Sequence, residues 1–136
     1  MKLIQTVFAL TAILLIGQVM PANAQSLNAN AQSLNECTAQ ARASSDSFTQ
    51  LTALGRAMNL ARQTREATNG GLGKYRPEAS MYGPANEAAC TVSGDDMWTF
   101  TFKGTAPGSS VPMVETVVTI NNQTWQITVD RNTRLY

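Results

Sequence analysis

Residues 114–129 read VETVVTINNQTWQITV, a pattern that indicates two paired β-strands. Apolar and polar side chains alternate on both sides of Asn121 and Asn122, with the period of two that is typical of half-buried strands. Because asparagine tolerates a positive φ, a two-residue hairpin turn is expected at this pair. Such a turn would set Val118 opposite Trp125 on one apolar face. The stretch therefore predicts an antiparallel hairpin.

A second alternating run precedes this hairpin. Trp98, Phe100 and Phe102 alternate with polar residues, which predicts another half-buried strand. A short strand is expected at residues 90–92, with a turn at residues 94–96 that leads into the longer strand. Together these segments predict an antiparallel sheet of three or four strands.

The region before the sheet, residues 36–68, has a helical composition. Ser47 followed by Gln50 matches the capping-box pattern, so a helix is expected to begin there, after a short first helix and a break at residues 44–46. We therefore expect a single α+β domain over residues 36–136, with one long N-terminal helix packed on the sheet.

The predicted helix has one broad apolar stripe that should face the sheet, formed by Phe48, Leu51, Leu54, Gly55, Met58 and Ala61. Ala53, Ala57 and Leu60 lie opposite this stripe. They are either ordinary surface positions or a second covered side, which the N-terminal arm or a partner would contact. Arg62 and Arg65 extend the main stripe, where they would either snorkel to solvent or pair with a carboxylate of the sheet.

Residues 1–24 have the pattern of a cleaved signal peptide. A positive start precedes an apolar run at residues 7–16, and small residues end the segment. The run is shorter than the roughly 20 residues that cross a bilayer, which argues against a membrane anchor. A repeat of the cleavage pattern also allows cleavage after Ala31. Residues 25–35 are polar and uncharged, so a flexible arm is expected before the domain, and the protein is expected to be periplasmic or secreted.

The cysteines are expected to form a disulfide bond in an exported protein. Cys37 and Cys90 are the only two in the chain. Closing a loop of this length stabilises the fold by about 4 kcal/mol in the chain-entropy model. The alternative is two separate buried thiols. A redox-active pair is not expected, because the Cys-x-x-Cys spacing is absent.

The composition excludes several kinds of site. The chain has no histidine, which removes Ser-His-Asp and Cys-His catalysis, and two cysteines cannot form a four-thiolate metal site. Ten basic residues stand against nine acidic ones, and Lys2 leaves with the signal peptide, so the mature chain is neutral. Nucleic acid and anionic lipid are therefore not expected as partners. We expect no enzymatic activity, no cofactor, no metal and no membrane anchor after cleavage.

Residues 70–74 read GGLGK, like the end of a phosphate-binding loop. That loop requires a glycine where Thr68 stands and a serine or threonine where Tyr75 stands. The stretch also follows a predicted helix, whereas a phosphate-binding loop follows a strand. Asn69 and the two glycines after it are better interpreted as the end of the helix, because glycine accepts the left-handed conformation there.

A long connection at residues 71–89 joins the helix to the sheet. Connections of this length in small domains are usually functional or disordered. Tyr75, Arg76, Met81 and Tyr82 lie within it, and these residue types are enriched in protein interfaces. We predict that these four residues contact a partner. The alternative is that the aromatic rings cover the sheet edge or the end of the helix.

One stretch of the helix resembles a known family. Residues 56–69 read RAMNLARQTREATN, and on a helix before an antiparallel sheet they resemble the minor pseudopilins of secretion and pilus systems. The resemblance covers this stretch alone and implies a pseudopilin-like headpiece. The leader departs from the family's pattern, since the glycine before cleavage and the Phe-Thr-Leu-Ile-Glu run are absent.

These observations favour a small exported protein that acts by binding. We expect a protein-interaction or accessory module of the cell envelope, whose partner is another envelope or extracellular protein. Two alternatives stay open. The first is a small-ligand carrier with a cleft between helix and sheet, and the second is the pseudopilin-like headpiece.

Overall fold

The computed structural model describes residues 35–136 of the chain. The predicted signal peptide at residues 1–24 lies outside the described residues, as does the predicted arm at residues 25–35 except for its last residue. That residue, Asn35, is part of the folded domain. Its side-chain amide donates hydrogen bonds of 2.6 and 2.7 Å to the carbonyl oxygens of two residues in the connection, Ala85 and Ala88.

The described chain has an α+β fold with two helices and an antiparallel sheet of five strands, so the predicted class is confirmed. The helix on the sheet is not the N-terminal one, because a separate helix precedes it. The sheet has more strands than predicted, because the connection contributes one. In chain order the elements are α1 (Glu36–Ala43), α2 (Ser47–Thr68), β1 (Arg76–Pro77), a 3₁₀ turn (Ala79–Met81), β2 (Cys90–Gly94), β3 (Met97–Thr105), β4 (Pro112–Asn121) and β5 (Ile127–Arg134).

Strand β3 lies at the centre of the sheet. β4 pairs along one edge of β3, and β1 and β2 share its other edge. β5 pairs with β4 and forms the outer edge. In the short strand β1, Arg76 is paired with Thr105 and Pro77 with Gly104. The connection after α2 is therefore tied to the end of β3.

The predicted hairpin is confirmed as β4 and β5, but its register is not. Val118 pairs with Val129 and not with Trp125, because the turn is longer than two residues. Asn121 does not form the turn by adopting a positive φ. Its side chain instead accepts hydrogen bonds of 2.9 and 2.8 Å from the backbone N–H groups two and three residues later. Trp125 takes the positive φ, 61°, and lies outside the strand.

The start of α2 differs from the prediction, whereas its end agrees with it. Asp46, and not Ser47, is the N-cap, and its carboxylate accepts a 3.2 Å hydrogen bond from a backbone N–H of the first turn. A carboxylate at this position also interacts favourably with the helix dipole. Asn69 is the C-cap, followed by Gly70 and Gly71 at φ values of 94° and 80°.

The core lies between α2 and one side of the sheet. β3 contributes Trp98, Phe100 and Phe102, which are buried as their alternation predicted. The buried apolar residues of α2 are Leu54, Ala57, Met58 and Ala61.

The buried side of α2 is wider than the predicted stripe and rotated from it. Ala57 is fully buried, and Ala53 and Leu60 pack against the same core, so the protein's own core covers the second side of the helix. Phe48, which was predicted to face the sheet, is instead 82% exposed. It lies in the first turn of α2.

A disulfide bond joins α1 to β2. Cys37 and Cys90 are bonded, with their Cα atoms 5.7 Å apart, and both are buried. The predicted pairing is confirmed, and it indicates an oxidising environment of the kind that exported proteins meet. Neither helix within residues 35–136 has the length and apolar character that a membrane span requires.

Candidate functional site

The structure divides the four residues predicted for interaction into two pairs. Tyr75 and Met81 are fully buried, so neither is part of the outer surface that a protein partner would contact. Arg76 and Tyr82 are exposed, Tyr82 over 51% of its surface. The connection therefore contributes Tyr75 and Met81 to the core, whereas Arg76 and Tyr82 lie on the surface.

Tyr75 is buried because β3 leaves space for its ring. The inward-facing residues of β3 are large at Trp98, Phe100 and Phe102, but the next inward position is Gly104. A Cβ atom at Gly104 would overlap the Tyr75 ring. The sequence does carry this signal, since a glycine at the end of an inward-facing aromatic series marks a close approach by another group.

Tyr82 is held in place by α2 although half of it is exposed. Its hydroxyl donates a 2.7 Å hydrogen bond to Glu66 Oε1, which also accepts a 2.7 Å bond from Arg62 Nη1. The Arg62 guanidinium lies 4.6 Å from the centre of the Tyr82 ring, within the range of a cation–π contact. Burial and the bond to Glu66 raise the pKa of the Tyr82 hydroxyl above its ordinary value. The Tyr82 side chain is thus uncharged, and its contacts with Arg62 and Glu66 hold the ring in one position.

An open groove of about 540 Å³ lies beside Tyr82 and β1. Leu72, which is 49% exposed, lines the groove together with Arg76 and Ala79. We refer to Leu72, Arg76, Ala79 and Tyr82 as the Tyr82 surface. It combines an aromatic ring, an aliphatic side chain and a guanidinium group, a combination found at the centres of protein interfaces.

A second exposed patch lies at the start of α2, around Phe48. There the Arg56 guanidinium stacks 3.9 Å above the centre of the Trp125 ring, and the recess between Phe48 and Trp125 measures about 260 Å³. The sequence analysis missed this patch. It depends on the position of Trp125 outside its strand, which the predicted register did not allow.

Several buried donors have no hydrogen-bond partner among residues 35–136. Arg65 is only 2% exposed, and its Nε and Nη2 atoms are unpaired, as are the Tyr75 hydroxyl and the Asn69 side-chain N–H group. Arg65 therefore neither reaches solvent nor pairs with a carboxylate of the sheet. Burial lowers the pKa of Arg65 and raises that of Tyr75. Leaving one such donor unpaired costs about 1–3 kcal/mol, and more when it is charged.

A pocket of about 440 Å³ lies where the C-terminal end of α2 meets β4 and β5. Asn69 and Tyr75 line it together with Lys74 and Arg134, and we refer to it as the Lys74 pocket. It is a cleft between helix and sheet, which is the feature that the small-ligand alternative requires. Within the described part of the chain, no group of three or more cysteine or acidic side chains is placed to hold a metal ion.

The Tyr82 surface and the Lys74 pocket differ in character. The first is an open groove with exposed apolar side chains, and the second is a recess lined by hydrogen-bond donors. They share no residue, so each can be altered without touching the other. No protein-family model, curated protein or solved structure matches the chain.

Proposed function

We propose that this chain is a small exported binding protein of the cell envelope, without enzymatic activity. Its partner is another envelope or extracellular protein, which it contacts through the Tyr82 surface. The observation that carries this proposal is the state of Tyr82, whose ring is 51% exposed while Glu66 and Arg62 fix it from behind.

The energetic reason lies in the small ordering cost of such a ring. Binding a side chain that is already immobilised avoids about 0.5–1.5 kcal/mol of lost rotamer freedom. Arg76 adds a fork of donors that matches a carboxylate of the partner. Phe48, in the first turn of α2, is also a large exposed ring, but at 82% exposure the protein itself contacts little of it.

The compartment and the charge support the same proposal. The disulfide between Cys37 and Cys90 is compatible with an envelope or extracellular location. The neutral charge of the chain after the leader removes the long-range attraction on which nucleic-acid binding relies. The lack of histidine removes the commonest general base, which supports a binding role over a catalytic one.

Site-specific photo-cross-linking in the producing cells tests this proposal. A photoreactive phenylalanine derivative replaces Ala79, which lines the groove without being one of its anchors. The same derivative is placed at Thr52, beside Phe48, and at Thr101, on the face of the sheet turned away from α2. All three positions are exposed, so the derivative should not disturb the core.

The proposal predicts one discrete cross-linked protein from position 79 and none from positions 52 and 101. A product that forms only from position 52 would move the interface to the Phe48 patch and contradict the proposal. Equal products from all three positions would indicate random collision, and they would contradict it as well.

A small-ligand carrier is the second candidate, and one observation favours it. The Lys74 pocket lies between α2 and the sheet and is bordered by buried donors that lack partners within residues 35–136. Such donors would be satisfied by a bound ligand that offers acceptors.

A further inference from the structure

The charge of the Lys74 pocket has one sign. Lys74 and Arg134 line it, and no acidic side chain is among the described residues that do so. Arg65, Glu66 and Glu78 do not line the pocket, although each lies close enough to Tyr75 for its charge to act on the tyrosine's pKa. Two cations, Lys74 and Arg134, therefore border a recess whose described lining offers them no anion.

The polar groups of the pocket are oriented as donors. Thr116 donates a 2.9 Å hydrogen bond to Asn132 Oδ1, and Asn132 Nδ2 donates a 3.2 Å bond to Asn69 Oδ1. This chain of bonds uses the acceptor of Asn69 and leaves its Nδ2 without a partner in the described part of the chain. The Tyr75 hydroxyl also lacks a bonded partner among residues 35–136, although the Thr116 hydroxyl lies close enough to lower its pKa. Both free groups can donate to a ligand.

The end of α2 places Lys74 and Tyr75 in the pocket. The backbone N–H groups of both residues donate to the carbonyl oxygen of Gly71, at 3.0 and 2.9 Å. The Lys74 stem lies against Gly70, where a Cβ atom would stand 3.0 Å from Lys74 Cδ. The GGLGK stretch at residues 70–74 is thus a helix cap, as predicted, and this cap also aims a lysine at the recess.

The helix dipole alone would disfavour an anion at this end of α2. The carbonyl oxygens of the last turn are already bonded by the N–H groups of Asn69, Gly70 and Gly71, at 3.0, 3.4 and 2.7 Å. The full charges of Lys74 and Arg134 outweigh the partial charge that is left. The undescribed residues 1–34 contain no aspartate or glutamate, so their side chains do not supply the missing anion.

We propose that the Lys74 pocket binds a small organic oxyanion, whose carboxylate or phosphate group is held by Lys74, Arg134 and the free donors of Asn69 and Tyr75. The apolar part of the ligand would lie against Met113 and Val114, which also line the pocket. Carboxylates and phosphates share the chemistry that matters here, an anionic group with several acceptor oxygens. This inference gives the small-ligand candidate its ligand class and does not depend on the Tyr82 surface.

Titration of the ¹⁵N-labelled, disulfide-bonded protein tests the proposal. The probes are inorganic phosphate and hexanoate, each added at constant ionic strength and followed by amide chemical shifts. We expect saturable shifts from at least one probe, centred on Asn69, Lys74 and Tyr75. Tighter binding of hexanoate would assign a carboxylate with an apolar chain, and tighter binding of phosphate would assign a phosphate group.

Matched variants separate this site from general attraction to positive charge. Lys74→Gln combined with Arg134→Gln should weaken binding at least tenfold, whereas Lys103→Gln, an exposed lysine outside the pocket, should leave binding unchanged. Tyr75→Phe removes a hydroxyl that has no hydrogen-bond partner within residues 35–136, so it should weaken binding several-fold while the melting temperature stays the same or rises.

Either of two results would overturn the proposal. One is the lack of saturable shifts with both probes. The other is binding that the Lys74 and Arg134 variants, or Tyr75→Phe, do not weaken. Neither result affects the cross-linking test at Ala79, which uses different residues and a different readout.

Discussion

Gly104 and Tyr75 occupy adjoining space in the core, so the side chain of one limits the other. Gly104→Ala places a methyl group where the Tyr75 ring lies, so the fully buried ring would have to shift from its position. We expect a loss of about 1–3 kcal/mol in the free energy of unfolding, as is typical of overpacked cores. Urea denaturation followed by circular dichroism measures it.

A second glycine provides the control for this substitution. Gly55 lies in the middle of α2, and a Cβ atom there meets nothing within 4 Å. Gly55→Ala should therefore stabilise the protein by about 0.5–1 kcal/mol through the higher helix propensity of alanine. If Gly104→Ala behaved like Gly55→Ala, the placement of the Tyr75 ring against β3 would be incorrect.

Helix α2 depends on its first turn for a defined start, and Asp46 provides it. Asp46→Ala removes the acceptor of the 3.2 Å capping bond and should cost about 1 kcal/mol of stability. Ser47→Ala at the next position should lower the free energy of unfolding by only a few tenths of a kcal/mol. Thermal melting of the two variants side by side checks this expectation. A larger loss of stability from Ser47→Ala would indicate that Ser47 is the N-cap, as the sequence predicted, and would contradict the assignment of Asp46.

The elements themselves could be predicted from the sequence to different degrees. The alternation of apolar and polar residues predicted β3, β4 and β5, because every second side chain of a strand points to the same side of the sheet. The register of β4 and β5 could not be predicted, since Asn121 can form a turn through a positive φ or through its side chain, and both look alike in sequence. The cap of α2 was misplaced for a similar reason, because Asp46 and Ser47 are both good caps.

The candidate site was less predictable than the fold. The sequence indicated the connection as a binding segment, which stays a prediction, and of its four candidate residues only Arg76 and Tyr82 are exposed. It could not separate Tyr82 from Tyr75, because that separation depends on β1 pairing with the far end of β3. The unpaired donors at Arg65 and Tyr75 arise from packing between distant segments, which no local pattern reports.

For the molecule as a whole, one connection performs two tasks. Its buried pair, Tyr75 and Met81, completes the core, whereas Tyr82 is presented to solvent on the Arg62–Glu66 ion pair. The disulfide anchors the start of β2, where the connection ends, to α1. Losing Tyr82 should therefore cost the fold only about 1–2 kcal/mol, for one hydrogen bond and one cation–π contact, and the protein should remain folded at 25 °C.

The yield of the cross-linked product from position 79, compared between the parent protein and Tyr82→Ala, tests the binding function most directly. We predict a yield roughly tenfold lower, which corresponds to about 1.4 kcal/mol of lost binding free energy, in a variant that circular dichroism shows to be folded. Val111→Ser is the matched control, because it removes another exposed apolar side chain outside the Tyr82 surface and should keep the full yield. A folded Tyr82→Ala protein that cross-links as efficiently as the parent would contradict the proposed function.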